Sequence, residues 1–135
     1  MSVDSTLANI LGPLELKVMK CLWAFEEATV QKVLDALNKK EDYAYTTIMT
    51  VMSRLAQKGI LQRVKSGRSY QYKPIYTEEA LIRHMSSQAV HQVLDHYGDT
   101  AIAQFVDTVG ASPEQLKKLK DLIDRLEGEK PDEKD

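Results

Sequence analysis

A chain of 135 residues, 43% hydrophobic and 28% charged with four prolines and six glycines, has room for one small module plus an appendage, and its composition excludes wholesale disorder. No apolar run is long enough to cross a bilayer, MSVDSTLANILGP lacks the basic start and apolar core of a secretory signal, and a lone cysteine excludes an internal disulfide, so a cytoplasmic protein with no membrane partner is expected. The net charge of −2 hides a division: residues 1–76 hold eleven Lys/Arg against seven Asp/Glu, whereas residues 77–135 hold seven against thirteen.

Both ends of the chain read as loose. A first helix is expected to open at Pro13, whose fixed φ suits that position, with Leu14, Val18, Cys21, Leu22 and Phe25 on its core face and Cys21 as a small buried side chain. Thr29 then caps a short helix with Val30, Val33, Leu34 and Leu37 inward, ended by the polar run Asn38 to Asp42. A third helix spans about Tyr45 to Lys58. Its stripe is Ile48, Val51, Met52 and Leu55, its remaining surface is Thr46, Thr47, Thr50, Ser53, Arg54 and Gln57, and Gly59 stops it.

From Ile60 the pattern alternates, ILQRVK and RSYQYKPIY about Ser66-Gly67, which predicts a β-hairpin with Tyr70 and Tyr72 on the face packed against the helices. Thr77 with Glu78 and Glu79 caps a long helix to about Tyr97, ended by Gly98. Asp99 caps a short helix bearing Ile102, Phe105, Val106 and Val109. Ser112-Pro113-Glu114-Gln115 is a capping box opening a last helix, on which Leu116, Leu119, Ile123 and Leu126 form an a/d seam before Gly128. The fold class expected is mostly α: a winged helix-turn-helix domain over residues 1–76 (three helices plus a β-hairpin wing), a helical dimerisation region over 77–128, and a flexible tail over 129–135. The seam predicts a homodimer.

Function should reside where charge is concentrated. Between Tyr43 and Thr77 there are six cations, Arg54, Lys58, Arg63, Lys65, Arg68 and Lys73, and no acid, so this stretch suits a polyanion. In a winged helix the third helix enters the major groove. Thr46, Thr47 and Thr50 can then reach phosphates or base edges, and Arg54 can make paired bonds to guanine. At the wing tip, Lys65, Ser66, Gly67 and Arg68 form a donor-rich point suited to phosphate.

At these residues the chain resembles the penicillinase-repressor family of bacterial regulators. LGPLELKVMKCLW is similar to that family's opening helix with Trp23, AYTTIMTVMSRLAQKGIL to its recognition helix and the start of its wing, and GRSYQYKP to its wing; QFVDTVGASPEQLKKLKDLID resembles its pairing helices more loosely. The resemblance implies a homodimer that binds a two-fold-related double-stranded DNA operator and blocks transcription, with Thr46, Thr47, Thr50 and Arg54 on the recognition helix and Arg68 on the wing. It also implies a regulatory protease, and Gln104-Phe105 stands where relatives are cut at an Asn-Phe bond; Phe105 equally reads as core of an amphipathic helix. A copper-responsive branch uses paired cysteines near its C-terminus, which this chain lacks there.

Other chemistry finds less support. His84, His91, Asp95 and His96 share one helix, where solvated or paired side chains compete with a metal site that would want a fourth ligand. The tyrosines could stack on single-stranded bases, though packing within the fold accounts for them. Neither a phosphate loop, a nucleophile elbow, an HExxH motif nor paired catalytic carboxylates occur, so no enzyme, no cofactor and no resident metal are expected. Two alternatives remain: a metal- or ligand-responsive regulator, and an adaptor that never touches DNA, which would leave the cations unexplained.

Overall fold

The computed structural model describes residues 2–129 and divides the chain into two compact units, Met1–Ser87 and Gln88–Asp135. The first opens on an unexpected helix, α1 (Val3–Ile10), where the sequence suggested a loose end. The Ser2 hydroxyl accepts the Ser5 N–H at 3.1 Å, and Leu7 is fully buried. Eight residues are too few for a helix to stand alone, so tertiary burial of Leu7 supplies what propensity cannot.

Helix α2 (Pro13–Phe25) starts at its proline, with the Glu15 carboxylate accepting the Gly12 N–H at 2.9 Å, and buries Val18, Met19 and Leu22. Cys21 is half-buried rather than buried, because it lies on the flank of that stripe; its partial burial raises the thiol pKa. In α3 (Val30–Leu37) the Thr29 hydroxyl accepts the Lys32 N–H at 3.1 Å, and Val30, Val33 and Leu34 face inward. Helix α4 (Tyr45–Gln57) buries Ile48, Met52 and Leu55. Gly59, at φ 79°, turns the chain into the hairpin.

Strands β1 (Leu61–Ser66) and β2 (Ser69–Pro74) pair antiparallel from Leu61 opposite Pro74 to Ser66 opposite Ser69. The two-residue turn is therefore Gly67-Arg68, one place later than the sequence reading, and Gly67 takes the positive φ of 66° that the first turn position requires. Backbone bonds in both directions between Ala28 and Tyr72, at 3.0 and 2.8 Å, tie the hairpin to the segment joining α2 and α3. Helix α5 (Glu78–Tyr97) is capped by Thr77, whose hydroxyl accepts the Ala80 N–H at 3.1 Å. Leu81 completes the core, and the division between the units falls within this helix.

The second unit holds the rest of α5, then α6 (Asp99–Gly110) and α7 (Pro113–Glu129). Asp99 is the first residue of α6 rather than its cap: Gly98, at φ 58°, makes the turn with backbone alone, leaving the Asp99 carboxylate in the first turn near the positive helix end. Ser112 caps α7, its hydroxyl accepting the Gln115 N–H at 3.3 Å. The last helix runs through Gly128 to Glu129, since one glycine costs a helix only about 1 kcal/mol. The remainder of the expected tail, 130–135, lies outside the described residues.

Candidate nucleic-acid interface

At 3.6 residues per turn, Thr46, Thr50 and Gln57 point away from the buried stripe of α4. Thr47 and Arg54 lie on one flank, and Tyr45, Met49 and Ser53 on the other. Thr46, Thr47, Thr50, Arg54 and Gln57 are all exposed. The second flank faces the hairpin across a cleft of about 490 Å³ lined by Tyr45, Met49, Arg63, Arg68 and Tyr70, with Thr29 and Gln31 from the start of α3. Helix face and hairpin thus border one surface. Lys65 and Arg68 are exposed on the hairpin, Lys65 paired across from Tyr70 and Arg68 in the turn itself.

The other flank faces α2, and here the structure modifies the acid-free segment. Lys58 Nζ lies 3.0 Å from Glu15 Oε2, a pairing across 43 residues that no local pattern reveals. Partial burial alone would raise the Glu15 pKa, but the Gly12 N–H, Lys58 and the nearby charge of Arg54 together hold it below the usual value. Lys58 is therefore paired at the surface with Glu15, whereas Arg54, Lys65, Arg68 and Lys73 are exposed with no ion pair among the described residues.

The tyrosines separate. Tyr72 is 4% exposed and packs in the core as expected, but Tyr70, two residues nearer the hairpin tip, is 43% exposed and lines the open cleft instead. The Arg63 guanidinium stands over the Tyr70 ring at 4.4 Å, which holds the cation in place on the wing surface. Sequence reasoning missed Tyr45 and the Arg63–Tyr70 pair as parts of this surface. Helical spacing would have found the first, since Tyr45, Met49 and Ser53 are four apart, and the diagonal cross-strand position the second.

In the second unit, Leu116 and Leu119 are half-buried while Ile123 is 44% and Leu126 62% exposed, so the seam lies open along α7. A further apolar groove of about 420 Å³ is lined by Val90, Val93, Leu94, Ala101, Ile102 and Phe105. Gln104 and Phe105 are exposed in the middle of α6, with Phe105 facing that groove rather than a core. His84 stacks on Tyr76 with ring centroids 4.7 Å apart, and His96 Nδ1 lies 2.8 Å from the Gln92 carbonyl. Among the described residues no group of three or more His, Cys, Asp or Glu comes close enough to hold a metal ion, and no helix is long and apolar enough to cross a membrane.

Residues 11–125 match the family model described as penicillinase repressor. The chain is 38% identical over 103 residues to the transcriptional regulator BlaI of Mycobacterium tuberculosis, a match covering 75% of each protein. It is 26% identical over 116 residues to the penicillinase repressor of Bacillus licheniformis, covering 86% of this chain and 91% of that one. Among solved structures, the Bacillus licheniformis BlaI monomeric form in complex with the blaP half-operator aligns with a TM-score of 0.46 at 33% identity, over 52% of this chain and 85% of the other.

Proposed function

The chain belongs to the penicillinase repressor family, and from that premise we propose that it is a DNA-binding transcriptional repressor acting as a homodimer on a two-fold-related operator in the cytoplasm. The observation that carries this reading is the exposed Thr46, Thr47, Thr50 and Arg54 surface of α4, on the same helix whose neighbouring flank, Tyr45, Met49 and Ser53, shares a cleft with the cationic hairpin. A helix of this kind lies in the major groove, its hydroxyls and guanidinium meeting base edges and phosphates. Lys65 and Arg68 grip the flanking backbone. Two copies are needed because one recognition helix reads only a half-site, and because α7 leaves Leu116, Leu119, Ile123 and Leu126 inadequately covered within one chain.

Cleavage between Gln104 and Phe105 separates the α7 seam from the winged module, so in this reading it is how a regulatory protease relieves repression. A gel-shift titration against genomic fragments tests DNA binding: selective retention of a few fragments is expected, and no retention at micromolar protein would favour an adaptor. Light scattering tests assembly, with a dimer mass expected. The double variant Leu119→Asp, Ile123→Asp should run as a monomer, lose operator affinity and keep its N-terminal module folded; a native chain of monomer mass would overturn the two-half-site reading.

A further inference from the structure

The passage from β2 into α5 is fastened to the winged module at successive points. The Ile75 N–H donates to the Ile60 carbonyl at 2.9 Å, and the Trp23 indole N–H donates to the Tyr76 carbonyl at 2.8 Å. Lys20 Nζ reaches Glu78 Oε2 at 3.1 Å while also pairing with Asp4 of α1. One turn further on, Leu81 is fully buried, and Tyr76 is stacked against His84.

The Tyr76 carbonyl precedes α5, so no helical N–H is provided for it by the first turn, and a partly buried carbonyl needs a donor. Trp23 supplies one from a rigid ring with a single N–H direction, which makes the bond a locator for the chain at Tyr76 and not merely a satisfied acceptor. Neither Trp23 nor Lys20 lies on the exposed face of α4 or on the hairpin. Their partners are instead the connector and the first residue of α5, the covalent route from the winged module to the second unit.

We propose that Trp23, assisted by Lys20, is a positioning residue that sets the direction in which α5 leaves the winged module, and thereby the half-site separation that the homodimer accepts. This rests on the homodimeric reading above. Adding or removing one base pair between half-sites moves them by about 3.4 Å and turns one relative to the other by about 35°, so a stiff connection must discriminate between spacings where a loose one cannot.

The test uses the full-length chain and a set of duplexes carrying its selected operator with the half-site separation unchanged, shortened by one base pair or lengthened by one. A single half-site duplex measures the module alone. The native chain is expected to prefer one separation by about tenfold or more, and Trp23→Phe should keep half-site affinity within about twofold while that preference falls to about threefold. Lys20→Gln, which keeps a polar side chain while removing the charge from the partly buried pair with Glu78, should move the preference in the same direction by a smaller factor. Undiminished spacing preference in Lys20→Gln and in folded Trp23→Phe would overturn the proposal while leaving the homodimer intact. A native chain indifferent to spacing would overturn both.

Discussion

Removing the wing-tip cation through Arg68→Ala puts a number on the backbone grip. Lys58 is engaged by Glu15, Arg63 is held over Tyr70, and Arg54 is the proposed base reader, which leaves Lys65, Arg68 and Lys73 as exposed cations free for phosphate. Three contacts per subunit make roughly six per homodimer, and at about 0.9 counterion per phosphate the slope of log affinity against log salt is roughly −5. Losing Arg68 from both subunits leaves about four contacts and a slope near −3.6. Between about 50 and 200 mM salt, operator affinity should thus fall by about 10³ for the native chain and by about 10² for the variant. Fluorescence anisotropy with labelled operator and with random duplex measures both slopes, and the two DNAs should lose affinity to Arg68→Ala in similar proportion. An unchanged slope, or a loss confined to the operator, would refute the assignment of the wing to backbone contact.

Arg54→Ala should instead cost about 1 to 3 kcal/mol on the operator and relax preference at one base pair per half-site, read by binding to a panel of single-base operator variants. Lysine should not restore that preference, because a point ammonium lacks the guanidinium fork. Glu15→Gln should release Lys58 toward DNA and steepen the native salt slope; it should also flatten the acid limb of thermal stability, since a carboxyl whose pKa is lowered by folding stabilises above its unfolded pKa and loses that contribution as pH falls through the folded value. Leu7→Ala should destabilise the module by about 2 to 5 kcal/mol in urea titration, and a loss under about 0.5 kcal/mol would mean that α1 is not part of the core.

Much of the winged module was legible because its signals are local. Thr29 and Thr77 each cap the helix they precede, the stripe Ile48, Met52, Leu55 is buried as its spacing requires, and alternation after Ile60 marks the hairpin. The same periodicity left Thr46, Thr47, Thr50 and Arg54 on the outside of α4, so the proposed reading surface could be written down from residue types and a 3.6-residue turn. Side-chain partners followed a different rule. Lys58 meets Glu15 across 43 positions and Trp23 meets the Tyr76 carbonyl across 53, and sequence separation carries no trace of such pairings. Helix α1 depends on burial of Leu7, and Tyr70 is exposed because it lines the open cleft between hairpin and helices and does not enter the core. By itself the amino-acid order determined helices α2 to α7, the hairpin and the distribution of cations, because hydrophobic period, capping and turn chemistry act over a few residues. Only tertiary packing decided which cation is paired with a carboxylate, which tyrosine is buried and how the chain is fastened at Tyr76, because those outcomes depend on distances between segments that only the fold brings together.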